Sequence, residues 1–159
     1  MKLYVMRHGP AEDFATSGRD FDRALTTSGK ERVTHVAHAL VKACEAPRAI
    51  VSSPLVRARQ TAELVAPFAS DSKTVVIDES LAPGGDCAAF VRSHATRGSR
   101  RLMVVGHEPD LSELIAELLE SAFEQDMQKA MVVGLRLSGE GPAELRFVLE
   151  PKGLLSTRA

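Results

Sequence analysis

The sequence predicts an α/β fold: a three-layer sandwich in which a mostly parallel sheet, flanked by helices, carries an antiparallel hairpin at its C-terminal end. Three observations predict it. Short apolar runs at residues 3–6, 49–52, 74–77 and 102–105 read as strands, the first of them apolar at every position, which suits a strand buried on both faces. Each is followed by a segment with helical spacing, and strand–helix alternation is the pattern of parallel sheets. The chain then changes character, with two strand-like runs, Met131 to Leu137 and Ala143 to Leu149, joined by the turn Ser138-Gly139-Glu140-Gly141-Pro142.

The first run, Leu3-Tyr4-Val5-Met6, stops abruptly at Arg7-His8-Gly9. Beyond the carboxyl end of a parallel strand lies the crevice where open α/β sheets bind ligands. A guanidinium and an imidazole there suit an anion, and an imidazole can also attack phosphorus. Residues Pro10 to Leu25 are small and charged, with no period, and a loop of this length after the first strand is expected to be functional. Val33, Val36, Ala37, Leu40, Val41 and Cys44 then recur at helical spacing, so a helix is predicted over about Thr27 to Cys44, started by a Ser28/Glu31 capping box.

The second strand, Ala49 to Ser52, leads into Ser53-Pro54, an N-cap with proline in the first turn, and a helix over Leu55 to Val65. The third strand, Thr74 to Ile77, runs into Asp78-Glu79-Ser80; Gly84-Gly85 make a turn and Asp86 caps a helix through about Thr96. The fourth strand runs into Gly106-His107-Glu108-Pro109. The helix after it, about Asp110 to Phe123, has an apolar face of Leu111, Leu114, Ile115, Leu118 and Leu119 and an Asp110/Glu113 capping box. Residues 1–150 are read as one domain and 151–159 as a loose tail.

Composition narrows the function classes. A formal net charge of −1, with both signs interspersed, gives no reason to expect nucleic-acid or membrane-surface binding, so anion recognition must be local. Cys44 and Cys87 form no disulfide framework or metal motif and are read as packing residues. No stretch approaches a signal-peptide core or a membrane span, which makes the cytoplasm the expected compartment. His35, His38 and His94 are read as surface or half-buried histidines, and no metal or cofactor is expected.

If the four strands are parallel, their polar ends share one edge: Arg7 and His8, Ser52-Ser53 with Arg57 in the next turn, Glu79, and His107. Cations and helix N-termini gathered there suit a phosphoryl group, whose transfer is assisted mainly by charge and hydrogen-bond donors.

These motifs, in this order, also resemble a family. Arg7-His8-Gly9, Leu25-Thr26-x-x-Gly29, Ser52-Ser53-Pro54-x-x-Arg57-Ala58-x-Gln60-Thr61 and Gly106-His107 are similar to the histidine phosphatase superfamily, which includes the phosphoglycerate mutases. The chain's small size and the tract Val105 to Leu111 resemble its compact, SixA-like branch of phosphohistidine phosphatases. The resemblance implies a phosphoglycerate mutase-like fold and a metal-independent phosphatase. It also implies His8 as the nucleophile, with Arg7, Arg57 and His107 holding the phosphoryl oxygens. For the leaving-group acid it offers either Glu79, as in the mutase-like branch, or Asp20, as in the SixA-like branch, and it puts Arg23 at the rim. The implied substrate is a phosphorylated histidine on a signalling protein. Small phosphate esters and a non-catalytic phosphate-binding module are the competing readings. Only about ten residues separate the second helix from the third strand, too few to roof the site, which favours a protein substrate.

Overall fold

The computed structural model describes residues 1–71, 73–139 and 141–152 in full and the backbone of 155–157. The strands are β1 (Lys2–Arg7), β2 (Ala49–Ser52), β3 (Val75–Ile77), β4 (Arg101–Gly106), β5 (Val132–Arg136), β6 (Glu144–Leu149) and β7 (Leu155–Thr157). The helices are α1 (Thr27–Lys42), α2 (Val56–Val65), α3 (Cys87–Thr96) and α4 (Asp110–Leu119). All seven strands form one sheet in the order β3-β2-β4-β1-β5-β6-β7. β1, β2, β3 and β4 are mutually parallel, and β5, β6 and β7 continue the sheet antiparallel. The α/β sandwich with its C-terminal hairpin is therefore as the sequence predicts.

Strand pleating divides the apolar runs between two cores. Tyr4, Met6, Ile50, Met103 and Val105 face one side, packed on Val33, Val36 and Leu40 of α1 and Ala58, Ala62 and Val65 of α2. Leu3, Val5, Val51, Leu102 and Val104 face the other, packed on Phe90 and Val91 of α3 and Leu111, Leu114 and Ile115 of α4. Both faces are covered, which is why these strands lack polar alternation.

The element ends depart from expectation in informative ways. Thr26, not Ser28, caps α1, its Oγ1 accepting from Gly29 N at 2.9 Å. The N-cap of α2 is Leu55, whose side chain can accept no bond, while Ser53 Oγ accepts from Leu55 N at 3.3 Å and also meets His107. Glu108 rather than Asp110/Glu113 serves α4: its carboxylate accepts from Ser112 N at 3.1 Å and Ser112 Oγ at 2.5 Å, while Asp110 accepts from Gly84 N at 3.1 Å. That helix stops at Leu119, where Glu120 takes a left-handed conformation with φ 52°, instead of continuing to Phe123. Asp86 does cap α3.

Beyond Pro151, where a loose tail is expected, Leu155–Thr157 pair with β6 as a seventh strand. Cys44, expected to pack, is exposed just past α1 with φ 57°, whereas Cys87 is buried with its Sγ on Ser80 O at 3.3 Å. Among the described residues no helix is long and apolar enough to cross a membrane.

Gly29 presses α1 against the first loop: a Cβ there would lie 2.0 Å from Pro10 O. Backbone on both sides leaves little room to yield, and such overpacking costs about 1–3 kcal/mol. Gly29→Ala is therefore expected to lower unfolding free energy in urea by that amount; an unchanged midpoint would show that the contact relaxes freely.

Candidate active site

Strand register alone brings the key residues together. Arg7 pairs with Gly106, and Ser52 with Val105, so the next residues along the three chains, His8, His107 and Ser53, emerge side by side at the carboxyl edge. Two further bonds continue the ladder beyond the strands, His8 N to Gly106 O at 3.1 Å and Ser53 N to Val105 O at 3.0 Å. The two imidazole centroids lie 5.2 Å apart. His8, Arg57, His107, Ser52, Ser53 and Thr61 are the buried polar residues of the described chain, and all belong to this cluster.

Hydrogen bonds define the proton positions on His8. Nδ1 lies 2.7 Å from Gly9 O, which can only accept, so Nδ1 carries the proton. Nε2 is left with its lone pair and receives Arg57 Nε–H at 3.3 Å. The ring is therefore held as a neutral base with one nucleophilic nitrogen facing a guanidinium. Burial, reinforced by the charges of Arg57, Arg7 and Lys129, pushes its pKa down to about 4, against a smaller opposing effect from the Gly9 bond.

His107 is set by Ser53. Its Nε2 and Ser53 Oγ are 2.7 Å apart, and the same Oγ accepts from Leu55 N at 3.3 Å. With one N–H already donated to it, the hydroxyl best satisfies the pair by giving its own proton to Nε2, which leaves Nδ1 protonated. Burial and the neighbouring His8 and Arg57 push the His107 pKa down to about 3. The site thus holds two neutral imidazoles, and its positive charge rests on the guanidiniums rather than on an imidazolium.

Arg7 is half-buried, with Nη1 donating to Met127 O at 2.6 Å. Arg57 reaches outward to Asp20, donating from Nη1 to the main-chain oxygen at 2.9 Å and from Nη2 to Oδ2 at 3.1 Å. Arg23 grips the other oxygen of that carboxylate at 2.8 Å and also reaches Glu12 O at 3.0 Å. The slight burial of Asp20 works to raise its pKa, but the bonds and charges of Arg23 and Arg57 outweigh it and hold the carboxyl below its usual range. Glu79 stands apart: it is exposed in a short turn over Glu79–Leu81, and its carboxylate has no hydrogen-bond or ion-pair partner among the described residues. Of the two candidate acids, only Asp20 touches the cluster. Arg59, at the surface of α2, pairs with Glu63 at 3.5 Å.

Several supporting residues escaped sequence reasoning. Thr61 Oγ1 accepts from Gly9 N at 3.0 Å and donates to Arg57 O at 2.7 Å, joining the turn after β1 to α2. Gln60 Oε1 accepts from Leu25 N at 2.8 Å, fastening the end of the first loop. Ala130 N donates to both Arg7 O and His8 O, with φ 69°, so the segment before β5 anchors the first strand's end. Thr61 and Gln60 were visible as motif letters, but nothing in the pattern near Met127 to Ala130 announced a role.

Two buried side-chain nitrogens among the described residues have no protein partner, Arg7 Nε and His107 Nδ1. Both flank His8. No group of three His, Cys, Asp or Glu among the described residues is arranged to hold a metal ion.

A model of the histidine phosphatase superfamily (branch 1) matches residues 3–82. An uncharacterized protein of Picosynechococcus sp. is 35% identical over 165 residues, covering 98% of this chain and 99% of its own. This chain belongs to the histidine phosphatase superfamily. Within it the SixA-like branch is indicated: phosphohistidine phosphatase SixA of Escherichia coli (strain K12) is 28% identical over 163 residues, covering 100% of this chain and 99% of its own. The solved structure of the protein histidine phosphatase SixA complexed with tungstate superposes with a TM-score of 0.88 at 25% identity, covering 96% of this chain and 98% of that one. A mycobacterial glucosyl-3-phosphoglycerate phosphatase shares the fold, with a TM-score of 0.70 at 20% identity over 91% of this chain and 96% of that one.

Burying neutral histidines makes this family member's stability pH-dependent in a defined window. Both folded-state pKa values lie below the unfolded value of about 6.5, so the unfolded chain binds more protons as pH falls below that value. The stabilisation is complete above about pH 6.5 and is lost progressively as pH falls toward 4 and then 3. Unfolding free energy is expected to drop by roughly 2–4 kcal/mol between pH 7 and pH 5, and His8→Asn with His107→Asn should flatten that slope. An equal slope in the double variant would contradict it. Thr61→Val should leave the Gly9 N–H buried without a partner, costing about 1–3 kcal/mol in the same assay.

Proposed function

We propose that this protein is a phosphohistidine phosphatase that works through a covalent intermediate on His8 and needs no metal ion. The observation that carries the reading is the pair of buried, unpartnered nitrogens, Arg7 Nε and His107 Nδ1, in the cluster where His8 keeps a lone pair on Nε2. Two buried donors without protein partners, in one cluster with a lone pair able to attack, fit a group that has only acceptor oxygens and an electrophilic centre, and a phosphoryl group is both.

In the first step the Nε2 lone pair attacks phosphorus in line, and the bond from phosphorus to the substrate's leaving atom breaks. Arg7, Arg57 and His107 donate to the equatorial oxygens, where charge accumulates. Water then attacks the phosphoimidazole; the bond from phosphorus to Nε2 breaks, inorganic phosphate leaves and His8 regains its lone pair. The Nδ1–H bond to Gly9 O keeps the ring in the attacking tautomer throughout.

The leaving group bears on the substrate. Asp20, held below the usual carboxylate range, is ionised at neutral pH and is a poor proton donor in the resting state. An imidazole leaving a phosphoramidate demands less of a general acid than an alkoxide does, so a phosphorylated histidine suits this site. The similarity to phosphohistidine phosphatase SixA supports the same substrate class. Glu79, exposed and outside the cluster, is not given a role in this reading.

The decisive experiment follows phosphate release, with EDTA in excess, from a phosphohistidine protein, a phosphoserine peptide and a sugar phosphate in parallel. Turnover is expected for the first and much less for the others. His8→Ala is expected to abolish both turnover and acid-labile labelling of the enzyme; retention of either would remove His8 as nucleophile. Arg57→Lys is expected to lower kcat/KM by about 10²-fold, because a point charge replaces a fork of fixed donors. Because His8 stays neutral down to about pH 4, kcat/KM should show no loss from its protonation near pH 6.5.

A further inference from the structure

The first loop presents aromatic surface beside the site. Phe14 is 88% exposed and Phe21 44% exposed, in a chain with only six phenylalanines. A single exposed ring is ordinary, but two on the loop that also supplies Asp20 to Arg57 call for a reason.

Their exposure does not come from a loose loop. Its base is closed by the Ala11–Leu25 bridge and by Glu12 N to Ala24 O at 2.8 Å. Its tip is braced by Asp22, which accepts from Ser17 Oγ at 2.7 Å and from Arg19 Nε at 2.8 Å. Arg23 crosses the loop to Glu12 O and Asp20. The backbone is thus committed to a shape that leaves Phe14 facing water. Beside that ring lies a shallow concavity of about 230 Å³, lined by Asp13, Phe14, Arg19, Asp20 and Arg23 among others. Asp20, which lines this concavity, also accepts from Arg57 of the candidate active site.

A substrate side chain must descend to reach His8, which is only 6% exposed, and so brings its own backbone and neighbours onto the rim. A free amino acid or sugar phosphate has no such neighbours; a folded protein does. We propose that the exposed rings of Phe14 and Phe21 dock apolar side chains that surround the phosphorylated residue on a folded phosphoprotein substrate. This inference rests on the phosphatase reading above and adds the surface that selects protein over small phosphates. Rigid aromatic rings are effective anchors because little conformational freedom is lost when they are covered.

The test compares the full chain with Phe14→Ser, Phe21→Ser and the double variant on three probes: a folded single-histidine phosphocarrier protein charged with phosphoramidate, free phosphohistidine and p-nitrophenyl phosphate. For the double variant, kcat/KM on the phosphoprotein is expected to fall at least about tenfold, mostly through KM, with both small substrates unchanged. Phe14→Leu should recover part of the loss. Equal losses on all three probes would make the rings structural supports of the site and overturn the proposal, as would an unaffected rate on the phosphoprotein. A change in sedimentation on substitution would instead make this face a contact between copies of the chain, again against the proposal. Should the unaltered protein release phosphate from the small probes and never from the phosphoprotein, the protein-substrate reading itself would fall, an outcome distinct from rings that do not matter.

Discussion

The site depends on a constraint of charge: two guanidiniums and two imidazoles share one buried edge, and the imidazoles can stay there only if both are neutral. A protonated His8 would face Arg57 at 3.3 Å with no buried carboxylate to offset it. The surrounding hydrogen bonds meet this demand locally. Gly9 O takes the proton of His8 Nδ1, Ser53 holds His107 Nε2, and Met127 O receives Arg7. Asp20 balances Arg57 from the exposed side, where its own charge remains solvated. The excess positive field is what makes the cluster receptive to a dianion.

Placing these groups with that precision is the work of the sheet. Three parallel strands of matched register deliver His8, Ser53 and His107 to one edge, and the two cores on either face leave the strands no freedom to slip. The connections then tie neighbouring elements into the same assembly: Thr61 bonds α2 to the turn after β1, Gln60 bonds α2 to the loop before α1, and Ala130 bonds the lead-in to β5 back to β1. An imidazole used as a nucleophile needs its angle of approach held as well as its protonation, and this lattice of bonds supplies both.

Membership of the histidine phosphatase superfamily explains the central cluster but leaves the rim to each protein. Here the rim is a braced loop whose polar side chains face inward to one another and to Arg57, while its aromatic rings face out. The division matches the two tasks proposed for the site: charge for a phosphoryl group, and apolar contact for the remainder of a large substrate.

Much of this was legible along the chain. The apolar run through Met6 marked β1 as buried on both faces, while β3, equally apolar, lies at the sheet edge with Val76 and Ile77 exposed; strand–helix alternation made the four strands parallel, so Arg7, His8, Arg57 and His107 could be assigned to one edge. What the sequence could not decide were contacts made across the fold. Whether Asp20 or Glu79 belongs with Arg57 depends on how a periodless loop folds back. Ser53 looks like a helix cap in one dimension and becomes the partner of His107 in three. Residues 127–130 and 155–157 carry no periodicity strong enough to reveal an anchor or a seventh strand. Local pattern determines elements because the hydrophobic period is written in neighbouring residues; the tertiary structure alone decides which buried donors and acceptors meet, since those partners lie tens of residues apart.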